Sequence, residues 1–380
     1  MSCTRTFPFC SFCTYSGRKR ETRYETDDGL FVDQLSCIGA CAQKEIIDEI
    51  TMPIVIGYDK AEQNQIEMTV AAPIFKEDQT VSNKTYSSVS HTVRNAREKM
   101  RAEIRKPFSI GKLSVALYSK DLAKDGLVKI LNPIKRDARV SNRCYLAIVD
   151  GKVKDLLESD FSLEEEKGVF LKELIDGKIK VGHLPRTNLH QFGYALHSEG
   201  MDPYLPILKL HNKNVRIAGL ALFKDDKYAS EINLDQMRVF RLLLENVNHG
   251  TYEVKLDHDS YAVVENQGSK VRYRMGGSSE KPEVTIDLKI NGAITEFSEW
   301  RLTEQDKRKI EMRLEEQIID TGKSLMHTFQ TLQIDPLGIG DFVRSKTRNW
   351  NNAKWERQYP GMQIHIRASV NIVESGITKY

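Results

Sequence analysis

The sequence has no run of about twenty apolar residues, so as written it holds no transmembrane helix. Its main body has almost no cysteine. Five of the six cysteines (Cys3, Cys10, Cys13, Cys37 and Cys41) fall in the first 41 residues and only Cys144 lies beyond, which excludes a disulfide-stapled fold. Charge of one sign is missing as well. With 56 basic and 53 acidic residues the formal net charge is +3, which gives no electrostatic reason to expect a nucleic-acid partner. Proline is scarce and no internal repeat is visible. What remains, 40% hydrophobic and 29% charged residues, is the composition of an ordinary globular protein. A chain of 380 residues exceeds one compact core, so two or three domains are expected.

Short motifs that could carry chemistry are weak. Cys10-Ser-Phe-Cys13 has redox or zinc spacing, but no second Cys or His pair follows at ligand distance. Arg18-Lys19-Arg20 is followed at once by Glu21, Glu25, Asp27 and Asp28 and reads as a solvated face. Gly276-Gly277-Ser278-Ser279 lacks the Gly-Lys-Ser/Thr ending of a phosphate loop and reads as a hairpin turn. His183, His190 and His197 stand near one another without a carboxylate at diagnostic spacing, and read as loop or core histidines. No catalytic residue, metal or cofactor is expected.

The segment Ile38-Gly39-Ala40 before Cys41 resembles the small-residue cleavage site of a bacterial lipoprotein signal, which would make Cys41 the lipid-modified first residue. The residues ahead of it, Asp27 to Gln34, are too polar for the apolar core of such a signal. Two readings stand: residues 1–40 are an atypical leader, from a misread or altered start, or Cys41 sits in a small-residue loop.

After Cys41 the periodicity becomes regular. Pro53–Asp59 and Gln65–Ala72 read as strands around a polar turn, and Ser90–Ile104 as an amphipathic helix whose basic face is solvated. Leu113–Tyr118 (strand), Leu122–Leu131 (helix) and Cys144–Val149 (strand) imply crossover connections and a mixed sheet, with an acidic helix over Leu163–Asp176. The polar stretch Gly177–Asp202 reads as a boundary. The expected division is therefore an α/β-type domain over 41–180, a connecting region over 181–210 and an α+β domain over 211–380. A new sheet is expected to open with Tyr204–His211 and Val215–Phe223, joined by Asn212-Lys213-Asn214. A helix over Leu234–Leu244 and an antiparallel meander from Thr251 to Ile290 follow. The strongest local signal is Thr303–Leu332. Thr303 with Asp306 makes an N-terminal box, and Ile310, Leu314, Ile318, Leu325, Phe329 and Leu332 form a stripe interrupted once, at Gly322. The fold class is α+β: mixed sheets flanked by helices, with a long C-terminal helix packed on a sheet.

Asp335-Pro-Leu-Gly-Ile-Gly340-Asp-Phe-Val-Arg344, then Trp350, Trp355, Tyr359-Pro360 and the alternating strand Gln363–Val373, resemble the C-terminal pattern of the C subunits of spore nutrient germinant receptors, the Ger(x)C family. Upstream, Gly57-Tyr58-Asp59, Lys112–Ser119 with Leu122-Ala123 and Gly126, and Arg136-Asp137 followed by Tyr145–Val149 are similar to the family's strand ends and strand–helix unit. The resemblance covers about 41–380; the first forty residues depart from it, because the family has an apolar leader. It implies a lipoprotein on the outer face of the inner spore membrane, anchored through Cys41 and working with two integral membrane subunits that sense the small-molecule nutrient. On physical grounds Asp335, Gly338, Gly340, Trp350, Trp355 and Pro360 are structural: glycines for close or left-handed backbone, Asp335 for a cap, tryptophans for packing. A surface lipoprotein that binds a small solute directly is the alternative.

Overall fold

The computed structural model describes residues 50–75, 81–161, 165–257, 260–278 and 280–375; Cys41 and the leader lie outside them. An eight-stranded sheet is built from β1 (Val55–Lys60), β2 (Ile66–Phe75), β3 (Val81–Ser90), β4 (Val115–Ser119), β5 (Tyr145–Val149), β6 (Tyr204–His211), β7 (Asn214–Lys224) and β8 (Lys227–Asn233). Its spatial order is β3-β2-β1-β4-β5-β6-β7-β8. The middle four strands run parallel, and antiparallel hairpins extend each side. Parallel neighbours need crossovers. These are supplied by α1 (Val93–Glu103) between β3 and β4, by α2 (Lys120–Asp125) and α3 (Val128–Lys135) between β4 and β5, and by α4 (Val153–Glu158), α5 (Lys167–Lys180) and α6 (Leu189–His197) between β5 and β6.

Both faces of the middle strands are covered, which is why β4 and β5 read as continuous apolar runs. Ile56, Tyr58, Ala116, Tyr118, Leu146 and Ile148 point into a core shared with α1, α2, α3 and α6. Val55, Val115, Leu117, Ala147 and Val149 point the other way, into a core that holds α4, α5 and α7 (Leu234–Leu244) and continues to the second sheet.

That second sheet, ordered β12-β11-β10-β9, comprises β9 (Thr251–Lys255), β10 (Tyr261–Gly277), β11 (Pro282–Phe297) and β12 (Gln363–Ser375). β9, β10 and β11 form the expected meander; β12 lies parallel to β11, reached through α8 (Glu304–Leu332), α9 (Ile339–Lys346) and α10 (Asn352–Gln358). The α8 box forms as read: the Thr303 hydroxyl accepts from the Asp306 amide, and the Asp306 carboxylate accepts from the Thr303 amide. Ile310, Leu314, Ile318, Leu325, Met326 and Phe329 are buried, each contributing roughly 2 kcal/mol of burial before entropy. The interruption at Gly322 is the point of close approach to Ile366 of β12 and Leu243 of α7. Two α8 carboxylates also protect the outer edge of β12: Glu311 accepts from the Ile372 amide and Glu315 from the Val370 amide, both at 2.8 Å.

Several expectations change. No new sheet opens at Tyr204. β6 pairs in parallel with β5 through Ile148↔Ile207 and Val149↔Leu208, so the first sheet runs across 181–210 and takes in β7 and β8. Leu122–Leu131 is two helices rather than one, broken at Gly126, where the chain turns past Asp226. The polar stretch Gly177–Asp202 contains α6, whose buried side is only Leu189, Phe192, Gly193 and Ala195. Within the meander, Ala262–Val264 and Lys270–Met275 belong to a single strand, β10, with register shifts at Val263/Val264 and Asn266/Gly268.

Candidate functional site

Among the described residues four α-helices begin without a side-chain cap of their own; at α5 the Asn83 amide oxygen accepts from the Lys167 amide at 3.0 Å, and in the other three the missing acceptor is an aspartate outside the helix. α4 starts after Lys152, and Asp59 at the end of β1 accepts from the Val153 and Lys154 amides at 2.8 and 2.9 Å. α3 starts after Leu127, and Asp226 accepts from the Val128 amide at 2.9 Å. α9 starts after Gly338, and Asp335 accepts from Ile339 with one carboxylate oxygen at 3.0 Å and from Gly340 with the other at 2.6 Å. Four orphan amides at every helix start explain why an acceptor is needed there.

The Asp335 site is the most elaborate, because it also joins the two sheets. Asp202, in the loop ahead of β6, accepts from the Asp335 amide at 2.8 Å and from the Asp225 amide, in the β7–β8 turn, at 2.9 Å. In return the Asp202 amide donates to the Asp335 carbonyl at 2.9 Å. Lys224 at the end of β7 stands 3.5 Å from the Asp202 carboxylate. Beside this exchange the Gly200 carbonyl accepts from the Asp341 amide at 2.9 Å. A Cβ on Gly340 would come 2.6 Å from the Gly200 Cα and 2.6 Å from Trp355 Nε1, so the backbones touch where only glycine fits. Gly338 takes φ 67°, the left-handed turn that aims α9 at Asp335.

Aromatic rings close the far side. Trp350, Trp355 and Tyr359 pack in series, tilted at 37° with centroids 5.6 and 5.3 Å apart, and the Tyr359 hydroxyl donates to the Ile334 carbonyl at 2.9 Å. Pro360 lies in the 3-10 turn Tyr359–Gly361 that leads into β12. Trp350 Nε1 is buried without a hydrogen-bond partner and faces a surface hollow that Lys346, Arg348 and Lys354 also line. Burial dominates the electrostatics: it pushes Asp335 up to about 7 and raises Asp202 as well, against the backbone amides that favour the charged forms.

Chemically, this is a joint. Asp335, Gly338, Gly340, Trp355 and Tyr359 come together, Trp350 and Pro360 flank them, and the carboxylate oxygens are occupied by main-chain amides. Beside α6 lies a cavity of about 330 Å³, lined by Arg186, His190, Phe192, Met201, Tyr204 and Glu245 among others. His183 lines a different hollow, next to Met237 and Arg238 of α7, and His197 is exposed; the three histidines do not form one centre. Among the described residues no group of three or more His, Cys, Asp or Glu side chains could hold a metal, and no helix is long and apolar enough to cross a membrane. Asp202, Gly200 and Asp225 were not singled out by sequence; the only trace is Gly200-Met-Asp202-Pro203, which looks like an ordinary turn.

The fold and the joint define a two-sheet α+β protein whose halves are locked by the Asp-x-x-Gly-x-Gly turn. The spore germination protein N-terminal domain matches residues 43–210, and the spore germination B3/GerAC-like C-terminal domain matches residues 218–376. The chain belongs to this family, the Ger(x)C family of germinant-receptor C subunits that its motifs resemble. It is 29% identical over 343 residues to spore germination protein GerQC of Bacillus cereus, covering 89% of this chain and 96% of that one. It is 24% identical over 362 residues to the putative spore germination protein YfkR of Bacillus subtilis (strain 168), covering 89% and 93%. The crystal structure of the GerBC protein shares the fold, with a TM-score of 0.57 and 16% identity over 84% of this chain and 96% of that one.

Proposed function

We propose that the protein is a non-enzymatic, lipid-anchored subunit of a nutrient-sensing germinant receptor, required for spore germination. It is held on the outer face of the inner spore membrane through Cys41 and works with two integral membrane subunits that sense the nutrient. The observation that carries this reading is the joint. The family's most distinctive residues are used on main-chain amides and close backbone contact between the two sheets, as suits a body that presents surfaces rigidly to partners. Spores lacking the gene, in a strain stripped of related receptors, should lose the response to one nutrient class and keep the response to a non-nutrient trigger. Complementation with Cys41→Ala should fail where wild type succeeds. Unchanged responses to every nutrient would overturn the reading.

A second reading, direct capture of a small solute, draws on the cavity beside α6. About 330 Å³ is within the range of small-molecule sites, and Phe192, Met201 and Tyr204 with Arg186, His190 and Glu245 give it apolar walls and a few polar groups. Calorimetry of the full chain with amino acids, sugars and nucleosides separates the two, since saturable binding abolished by Phe192→Ala favours capture.

A further inference from the structure

Although the whole chain carries only +3, positive charge is concentrated on one face of the first sheet. Two adjoining hollows, of about 470 and 560 Å³, share Arg101 and Arg139 and make one groove. α1 supplies Arg94, Arg97 and Arg101; the turn after it supplies Arg105 and Lys106; the end of α3 supplies Arg136 and, just beyond, Arg139. Against these seven cations the lining has two acids among the described residues, and both are engaged. Glu98 pairs with Arg101 at 2.8 Å, and Asp137 pairs with Arg97 at 3.3 Å and Arg139 at 2.8 Å. Arg94, Arg105 and Arg136 are exposed and have no acidic partner among the described residues. Several surface lysines elsewhere are paired with acids, as in Lys120–Glu231, Lys154–Glu67 and Lys209–Asp150.

The groove is also where the chain enters the body. Ile50 lines it, and Thr51 is fixed to its rim: the Thr51 amide donates to the Pro107 carbonyl at 2.8 Å and the Thr51 carbonyl accepts from the Ser109 amide at 3.0 Å. Eight residues separate Cys41 from Ile50, at most about 30 Å of extended chain. A lipid on Cys41 would therefore hold the Ile50 end of this groove within about that distance of the bilayer surface.

We infer that the groove is the membrane-facing surface of the protein, its arginines binding the phosphates of anionic lipid headgroups. The inference rests on the lipid-anchored reading of Cys41. Guanidinium groups suit phosphate because their fork donates two parallel hydrogen bonds, and basic residues near an anionic leaflet act within a Debye length, about 10 Å. The lipid would supply attachment and the groove orientation, turning the opposite faces towards partners.

The test uses the full chain carrying Cys41→Ala, so that binding does not depend on the anchor, in flotation with vesicles. Binding to phosphatidylglycerol vesicles should exceed binding to phosphatidylcholine vesicles by at least about tenfold and fall with added salt. Reversing Arg94, Arg105 and Arg136 to Glu should abolish that excess. Reversing Lys270, Arg272 and Lys289, three exposed cations of the second sheet, should leave most of it, with melting curves confirming that both triple variants fold. Equal binding to both vesicles, or equal loss in the two triple variants, overturns the proposal. So does binding of polyglutamate without vesicle binding, which would give the groove to an acidic protein segment. Failure here leaves the deletion phenotype unaffected, so the membrane-facing surface and the receptor role fail separately.

Discussion

Asp335 at the joint and Asp137 at the groove are both aspartates beside a helix end, and both gather several donors, yet they titrate in opposite directions. Around Asp335 the donors are main-chain amides, and burial outweighs their pull and lifts its pKa to about 7. Asp137 hydrogen-bonds first to the Arg139 guanidinium, with Arg97 adding its charge, and its pKa is held down at about 2. The difference lies in what the donors belong to. Amides fix the backbone and bring no net charge, so the joint uses its carboxylates for architecture. Guanidiniums bring charge, and the single aspartate that organises two of them leaves the groove positive.

Removing the joint's acceptor should have the largest effect. Asp335→Ala leaves the Ile339 and Gly340 amides buried and unpaired, and unfolding in denaturant should show a loss of about 4 kcal/mol. Gly340→Ala should cost about 3 kcal/mol, because its new Cβ meets the Gly200 backbone and the Trp355 ring, neither of which is a flexible side-chain end. Changes near zero in both would mean that the two sheets do not depend on this contact.

Next in size is the pH dependence, which should have opposite signs in the two regions. Folded Asp335 keeps its proton up to about 7, well above its ordinary 3.8, so its contribution is full below about 4 and is lost as pH rises through 7. Asp202, raised by burial too, acts in the same direction. The full swing is on the order of a few kcal/mol. Asp137 contributes stability above its ordinary 3.8 and loses it as pH falls towards 2. Denaturation midpoints across pH should therefore fall less between 4 and 7 in Asp335→Asn, and fall less below 4 in Asp137→Asn. A wild-type slope retained in Asp335→Asn would place the titrating group elsewhere.

How far the sequence revealed these regions follows from where each signal resides. α8 was legible to its capping box because Thr303, Asp306 and the apolar stripe are all local. β1, β4 and β5 were legible because burial on both faces makes them uniformly apolar. β3 and β8 were not: as edge strands, VSNKTYSSVS and KYASEIN carry mostly polar side chains and lack a full apolar face. α6 was hidden by its shortness and by three polar or charged residues among nine. At the joint, Asp335, Gly338 and Gly340 were readable as a cap and turn, but Asp202 and Gly200 lie over 130 positions away and gain their role only when the sheets meet. The groove was half readable. The basic side of α1 is visible in the helical spacing, while Arg136 and Arg139 join it only through the packing of α1 beside α3.

A smaller effect should come from the cap that resembles the joint in miniature. Asp226→Ala removes the acceptor for the Val128 amide at the start of α3 and should cost about 1 kcal/mol, since this amide is only partly buried and water can replace the carboxylate. The smallest effect is expected at the groove itself. Arg94, Arg105 and Arg136 are exposed and have no acidic partner among the described residues, so reversing them to Glu should move the unfolding free energy by no more than about 0.5 kcal/mol in total. New partners for the introduced carboxylates, such as Arg101 and Arg139, would act against any loss. A small gain in stability from relieved repulsion, together with lost vesicle binding, would be the sharpest form of the comparison, because it would show charge maintained at the groove against the interest of the fold. A loss as large as that of Asp335→Ala would instead make the groove a second joint and remove the distinction.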